Sequence, residues 1–543
     1  MSSLRTIVPS ALLACALLGG TAAAQTNFAR DQWFPEVRLQ TIALSGDIAP
    51  GVGTPFADFD TPFGYPDTTA PWLDEQGNAG VFAHVVDPLD PSKTTSGQWT
   101  WNAATASLEL VALRGDPAPG TGELFVAFPH PLFEHAPDLD AGIVGVRAST
   151  TTIPGAAFSD RSGVLELIVR HGQPLPGGPA GKSFQNPSSV FFADGSVLVP
   201  SSWSNSSNDE GFWRDRRGTL QLITRGGLQA PGMPTGVYFD KGGSLHLLGP
   251  FDHWEADAEG HIAFNGIVAG PGIGLTNDEG IWIETSDGVL ELVLREGDPA
   301  PMGQSGYRFG IKLGVRAFGG SDNMPLRFSD AGTVFFGAQV NGQGSDYIQS
   351  LWMRKATGEL LLVADSPAGS GSHAGMLAPG TGEPFMGRFM RGTVNAHDRL
   401  AFQDGISHPL NTLYNTETAI FWGEPGNLAL LIATETWIPG LHPGELINGL
   451  VLGELHDDGS LFASANLKGG PDGTVRALLH FDASGKPTVL TREGQVVDVH
   501  GDGSDLRVVE EFGFSASDHG PQFGLRLVFT DGTAGLFRLD PVP

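Results

Sequence analysis

Apolar residues in this chain come in short runs bounded by Gly, Pro, Asp and Asn. Residues 289–294 (VLELVL) are typical. Successive side chains of a strand point to opposite faces, so Leu290, Leu292 and Leu294 form one apolar face, and Val289 and Val293 make the other largely apolar too. A sheet buried on one side only would alternate more cleanly with polar residues. The pattern therefore predicts short strands in sheets covered on both faces. No long stretch shows the i, i+3, i+4 spacing of an amphipathic helix, so the fold class expected is all-β.

Four short patterns recur in a fixed order, and such repetition outranks any single motif. The first is a strand running into a Gly-Asp-x-Ala-Pro-Gly loop, clearest at 108–120 (LELVALRGDPAPG) and 290–301 (LELVLREGDPAP), with looser copies starting near Leu39, Leu165, Leu220, Leu360, Leu428 and Pro487. An aromatic position follows (Phe56, Phe125, Phe184, Tyr238, Tyr307, Phe385). The third pattern is a tight turn and an apolar strand, best seen at 257–264 (DAEGHIAF), with related turns at Gly77, Gly142, Gly195, Gly332, Asp398, Gly459 and Gly520. Such a turn needs a positive φ, which Gly adopts at little cost and Asp tolerates better than most residues. The fourth is a short strand around Trp99, Phe158, Trp213, Trp282, Trp352, Phe421, Leu479 and Phe537.

Eight copies in the 543 − 24 = 519 residues after a leader give roughly 65 residues per repeat, too long for a β-solenoid coil. The chain begins with a lone strand near 37–44 and ends after a strand near 536–539 that lacks its successor. Joining the two completes an eighth unit and removes exposed sheet edges. The expectation is a β-propeller of eight four-stranded blades closed by the N-terminal strand, with seven blades as the alternative count. No linker divides the chain, so residues 37–543 read as one domain preceded by a lead-in at 25–36.

Residues 1–24 read as a signal peptide: Arg5, an apolar stretch at 11–18 too short to span a bilayer, and the cleavage site Ala22-Ala23-Ala24. The protein is then secreted, periplasmic or held at the cell envelope. The single cysteine, Cys15, lies in this segment, so the mature chain has no thiol chemistry; the alternative is a lipoprotein box that anchors the chain through Cys15. No later segment is apolar for long enough to form a membrane helix. The net charge of −29 repels nucleic acid and anionic lipid, leaving extracellular glycans or proteins as partners of a chain expected to be monomeric.

The turn-and-strand motif at 257–264, its copy at 395–402 and the Gly-Asp-x-Ala-Pro-Gly loops resemble the bacterial choice-of-anchor tandem repeat NxxGxxAF-containing proteins. The resemblance implies an exported bacterial protein of unsettled function and transfers no catalytic residue. The chain ends Leu539-Asp540-Pro541-Val542-Pro543, without the apolar tail or basic stop of a sorting segment.

Binding is expected on the variable polar loops between the third- and fourth-pattern strands, because loops on a rigid scaffold carry recognition. The candidates are Trp203, Asn205, Asn208, Asp209, Asn277, Asp278, Asp346, Tyr347 and Tyr414, a mixture of rings, amides and carboxylates suited to a sugar or peptide. Asp47, Asp116 and Asp298 occupy equivalent loop positions, there to accept backbone N–H groups or to bind Ca²⁺, but Gln173, Leu228 and Gln495 break any acidic ring. Asp498 and Asp502 fall at calcium-loop spacing beside Gly503, although His500 and Val509 stand where oxygen ligands belong. The sequence holds no zinc helix, nucleophile elbow or P-loop. These features favour a non-catalytic binding or surface-associated propeller; the alternative is a secreted polysaccharide hydrolase or lyase with carboxylates gathered in the channel.

Overall fold

The computed structural model describes residues 37–59, 70–128, 139–140, 143–185, 187–192, 194–203, 210–216, 218–240, 251–302, 306–310, 326–342, 347–368, 373–387, 389–406, 417–470, 473–501, 503–516 and 522–541. Their strands form eight antiparallel sheets, the blades of an eight-bladed β-propeller. In blade 4 the inner strand is Phe251–Ala256, followed outward by Ile262–Ala269, Glu279–Glu284 and Leu290–Arg295. Inner strands of neighbouring blades touch: Phe251–Ala256 meets Leu326–Phe328, which meets Arg391–Val394, which meets Leu446–Leu455. The ring closes as anticipated. Val37–Leu44 pairs antiparallel with Ala534–Pro541 and becomes the outer strand of blade 8.

The apolar residues divide into eight clusters, each straddling one junction between blades. The period-2 pattern explains how. In Glu279–Glu284, Trp282 packs toward blade 3 while Ile281 and Ile283 pack toward blade 5. Every blade is thus covered on both faces by its neighbours, which is what the near-continuous apolar strands required.

The outer strand departs from the simple alternation expected for 289–294. Leu290 and Leu292 pack on one side, but Leu294 joins Val293 on the other. The cause is a β-bulge: Ile281 pairs with Leu294 and Trp282 with Leu292, leaving Val293 unopposed. The same break in register occurs between the third and outer strands of all eight blades, always at the large residue of the fourth pattern: Trp99, Phe158, Trp213, Trp282, Trp352, Phe421, Leu479 and, paired across the closure, Phe537. In three blades the residue two before the tryptophan is glycine, because the indole lies on it. A Cβ at Gly97, Gly211 or Gly280 would stand 2.7, 2.9 or 2.8 Å from the ring. Each of these indoles donates to the proline carbonyl of the preceding linker, Trp99 to Pro50 (3.0 Å), Trp213 to Pro176 (2.9 Å) and Trp282 to Pro231 (3.0 Å). In these three blades the recurring Pro and Trp are therefore two halves of one contact.

Candidate binding face

The face that carries the turns between inner and second strands is consumed in holding blades together. Gly77, Gly195, Gly260, Gly332 and Gly459 have the positive φ that these turns require, and Asp398 takes it with φ 60°. Their backbones receive side chains from the adjacent blade. Arg538 donates to Gly77 O (3.1 Å), Arg161 to Gly195 O (3.1 Å), and Arg214 to Gly260 O. Farther round, Ala258 N donates to Asp330 (2.7 Å), Thr333 to Asp398 (2.5 Å), and Asn395 to His456 O (2.9 Å). Two inner-strand carboxylates are similarly engaged: Glu255 with Arg327 at 2.6 Å, and Glu454 accepting from Thr393 at 3.1 Å.

The opposite face carries the linkers from each outer strand to the next blade, together with the loops between second and third strands. In five of the linkers an acid or amide caps its own turn. Asp47 accepts Leu44 N (3.1 Å), Asp116 accepts Leu113 N (3.1 Å), and Asp298 accepts Arg295 N (2.8 Å). Gln173 and Gln495 do the same for Arg170 N (3.2 Å) and Arg492 N (3.1 Å), so an acceptor without a charge serves equally here. The residue that follows the outer strand holds the neighbouring loop: Ser366 accepts Gln349 N (3.1 Å), Thr434 accepts Thr418 N (3.2 Å), Glu493 accepts Arg476 N (2.8 Å) and Glu296 accepts Asp278 N (3.2 Å). Glu296 is fully buried beside Asp278 and Glu279. Burial first, then those two negative charges, push its carboxyl up to about 8, so it stays protonated at neutral pH, out of reach of a ligand.

The linker tips are where side chains meet solvent. The variable residue of Gly-Asp-x-Ala-Pro-Gly points outward and the next residue points in. Ala49, Ala118, Leu175, Ala230, Ala300, Ala378, Ile438 and Val497 are all buried. Their predecessors Ile48, Pro117, Pro174, Gln229, Pro299, Leu377 and Trp437 are exposed, and Val496 is half-buried. This ring of display positions was not singled out from the sequence. Its signal was the single variable letter inside an otherwise constant loop.

The sequence candidates separate. Trp203 is a core residue, buried and edge-on to Trp213 with ring centroids 6.1 Å apart. Asn277 shapes its own loop, accepting Gly274 N (2.7 Å) and donating to Gly272 O (3.0 Å). Asp278 is buried with Glu296, and Tyr347 stands exposed at the start of its strand. Asp498 accepts the amides of His500 (3.3 Å), Gly501 (3.0 Å) and Gly503 (2.6 Å), so backbone donors already satisfy the oxygens a cation would use. Asp505, in the same loop, holds Arg507 through both oxygens (2.9 and 2.6 Å). Among the described residues no group of three or more His, Cys, Asp or Glu is placed to hold a metal ion. Asn205, Asn208, Asp209, Asp346, Tyr414 and Asp502 lie outside the described residues, as does the leader at 1–24. Among the described residues no helix is long and apolar enough to cross a membrane.

A family model described as "Family of unknown function (DUF7453)" matches residues 35–191 and 73–542. No curated protein matches the chain. Similar solved structures include a GH93 α-L-arabinofuranosidase of Fusarium graminearum with arabinobiose (8% identity, 67% of this chain and 95% of that one, TM-score 0.29). A polysaccharide lyase, PL25 ulvan lyase, shows 7% identity over 84% of this chain and 98% of that one, with TM-score 0.30. A GH74 xyloglucanase from Xanthomonas campestris shows 12% identity over 91% and 78%, with TM-score 0.28. At these scores the likenesses carry no functional argument.

Proposed function

Because the chain belongs to the family of unknown function DUF7453, it inherits no chemistry, and we propose from its own surface that it is an exported, non-catalytic binding propeller that engages an extracellular partner through the linker face. The observation that carries this reading is the ring of outward linker residues, each followed by a buried successor and five of them in a side-chain-capped turn, on the face opposite the turns that stitch blades together. Such positions are rigid before any partner arrives, so little ordering entropy is lost on binding. The buried carboxyl group at Glu296 is in no position to act on a polymer, and the inner-strand carboxylates Glu255 and Glu454 are each held by a neighbouring blade.

The test is a paired screen of the purified mature chain. It is applied to glycan and extracellular-protein arrays, and incubated with plant and algal polysaccharides while reducing ends and unsaturated products are followed. Array binding without product formation supports the proposal. Turnover of any polysaccharide by the wild type, abolished by replacing an inner-strand carboxylate, overturns it in favour of a hydrolase or lyase.

A further inference from the structure

The two faces of the closing strand are buried by different neighbours. Ile42 and Ala43 pack with blade 1, in the cluster that holds Phe56 and Val81. Leu39 and Leu44 pack with blade 7, in the cluster that holds Phe462, Leu478 and Leu490. A row of side chains runs along that second seam. Phe462, on the second strand of blade 7, meets Phe523 of blade 8 with ring centroids 4.4 Å apart. Phe523 stands opposite Leu539, and Leu539 opposite Leu39, one residue per strand out to the edge of the sheet. Thr41 adds a hydrogen bond to Val499 O in the linker between the two blades. The strand that fastens the ring therefore depends on how blade 7 meets blade 8.

Two histidines sit at the blade 7 end of that row. His480 lies opposite Phe462 on the third strand, with ring centroids 4.8 Å apart. His456, on the turn before the second strand, lies 5.0 Å from the same phenyl ring. It is buried, and neither ring nitrogen has a hydrogen bond among the described residues. Blade 6 holds the backbone of this turn: Asn395 donates to His456 O (2.9 Å) and Ala396 N to Asp457 (2.8 Å). The charged groups that act on the ring are Glu454, Asp457 and Asp458 of its own strand and turn, and His480. On the blade 6 turn, Asp398 is engaged by Thr333 and Lys355, and Arg399 by the Trp422 ring. Blade 8 brings the phenyl ring of Phe523 behind Phe462.

We infer that this seam is an acid-operated latch: a proton on His456 parts blade 7 from blade 8 and frees the closing strand Val37–Leu44, while the other blades stay folded. Charging a ring that has neither water nor a hydrogen-bond partner is costly. The cost disappears once the seam opens, because water and the exposed carboxylates of Glu454 and Asp458 then receive the imidazolium. Parting Phe462 from Phe523 uncovers the row that ends on Leu39, and the closing strand loses one of its two buried faces. Its remaining contacts are the ladder to Ala534–Pro541 and the blade 1 face. The latch is independent of what the linker face binds.

The test is native-state hydrogen exchange on the full mature chain at pH 7.5 and pH 5, in low, non-denaturing urea, with each rate divided by the intrinsic rate at that pH. A ring at its ordinary 6.5 when open and about 4 when closed makes the open form about 30-fold more populated at pH 5 than at pH 7.5. The expected result is a rise of that size for the amides of Val37–Leu44 and Ala534–Pro541, with little dependence on urea, since a local opening exposes little surface. The amides of Ile262–Ala269 in blade 4 stay better protected at both pH values and respond steeply to urea. In His456→Asn the rise at the closing strand falls below about threefold. No rise in the wild type overturns the inference, and so does a rise with the urea dependence of blade 4, which is global unfolding. An equal rise in His456→Asn also overturns it. If that variant does not fold, the comparison of the two segments in the wild type still decides.

Discussion

His456 should make this propeller acid-labile, by an amount that can be worked out. It occupies the first position of the blade 7 turn, where blades 1, 4 and 6 have Asp74, Asp257 and Asn395. Asp74 accepts Gln76 N (3.0 Å) and Asn78 N (2.8 Å), and Asn395 accepts His397 N and Arg399 N (3.0 Å each). An imidazole cannot reproduce that cap. The His456 ring is instead 1% exposed, 5.0 Å from the Phe462 ring, with no hydrogen bond at either nitrogen among the described residues. Burial lowers it from 6.5 to about 4, against the pull of Asp458, Glu454 and Asp457 and with a small push from His480. Above pH 6.5 the ring is neutral in both folded and unfolded chains and costs nothing. As pH falls from 6.5 to 4 the unfolded chain takes up a proton that the folded one refuses. Stability drops by 1.36 kcal/mol per pH unit, about 3 kcal/mol in all, and levels off below pH 4. His456→Asn restores the amide found at Asn395 and removes the titration. Urea unfolding from pH 7.5 to 3.5, followed by tryptophan fluorescence, should show the wild type losing about 3 kcal/mol more than the variant. Parallel stability curves would refute the assignment.

Glu435 holds φ 64° where the other seven linkers use glycine, so Glu435→Gly should raise stability by about 0.5 kcal/mol, strain relief exceeding the lost half-exposed pair with Lys468. A fall of more than about 1 kcal/mol in denaturant would show that the pair outweighs the strain. Arg214 and Glu284 form a buried two-bond pair across blades 3 and 4 at 2.7 and 2.6 Å, so Arg214→Ala, which leaves the carboxylate buried alone, should cost about 3–5 kcal/mol. The double variant Arg214→Met/Glu284→Met should recover most of it in the same assay; an equally unstable double variant would mean that packing, not charge, is lost. Glu296, raised to about 8, favours the folded state below its ordinary pKa of 4.5 and progressively loses that advantage as pH rises to 8. Glu296→Gln should therefore melt higher than the wild type at pH 8 but not at pH 4.5, and an equal shift at both pH values would contradict the buried acid.

The repeat, the blade count and the ring closure were legible because each is written in short-range chemistry. A strand of alternating apolar residues, a turn glycine and a Pro-Gly loop need only their immediate neighbours to declare themselves, and eight copies average away the weak ones. Asp398 shows the reach of that reasoning: a turn without glycine still took the positive φ, because Asp can. Site reading failed where a side chain's fate depended on how the next strand or linker of its own blade folds back over it. Trp203 and Asp278 look like loop residues in sequence, and both are buried, one against Trp213 and the other beside Glu296.

By itself the sequence determined that these strands must be covered on both faces and that the ends must meet, since period-2 apolar patterning leaves no water-facing side. Only the tertiary structure decided that a bulge in every blade turns the residue after it to the opposite face, and which linker letters reach solvent. Those outcomes depend on packing within a closed ring, where residues hundreds of positions apart, such as Thr41 and Val499, become neighbours, and no local pattern encodes that distance.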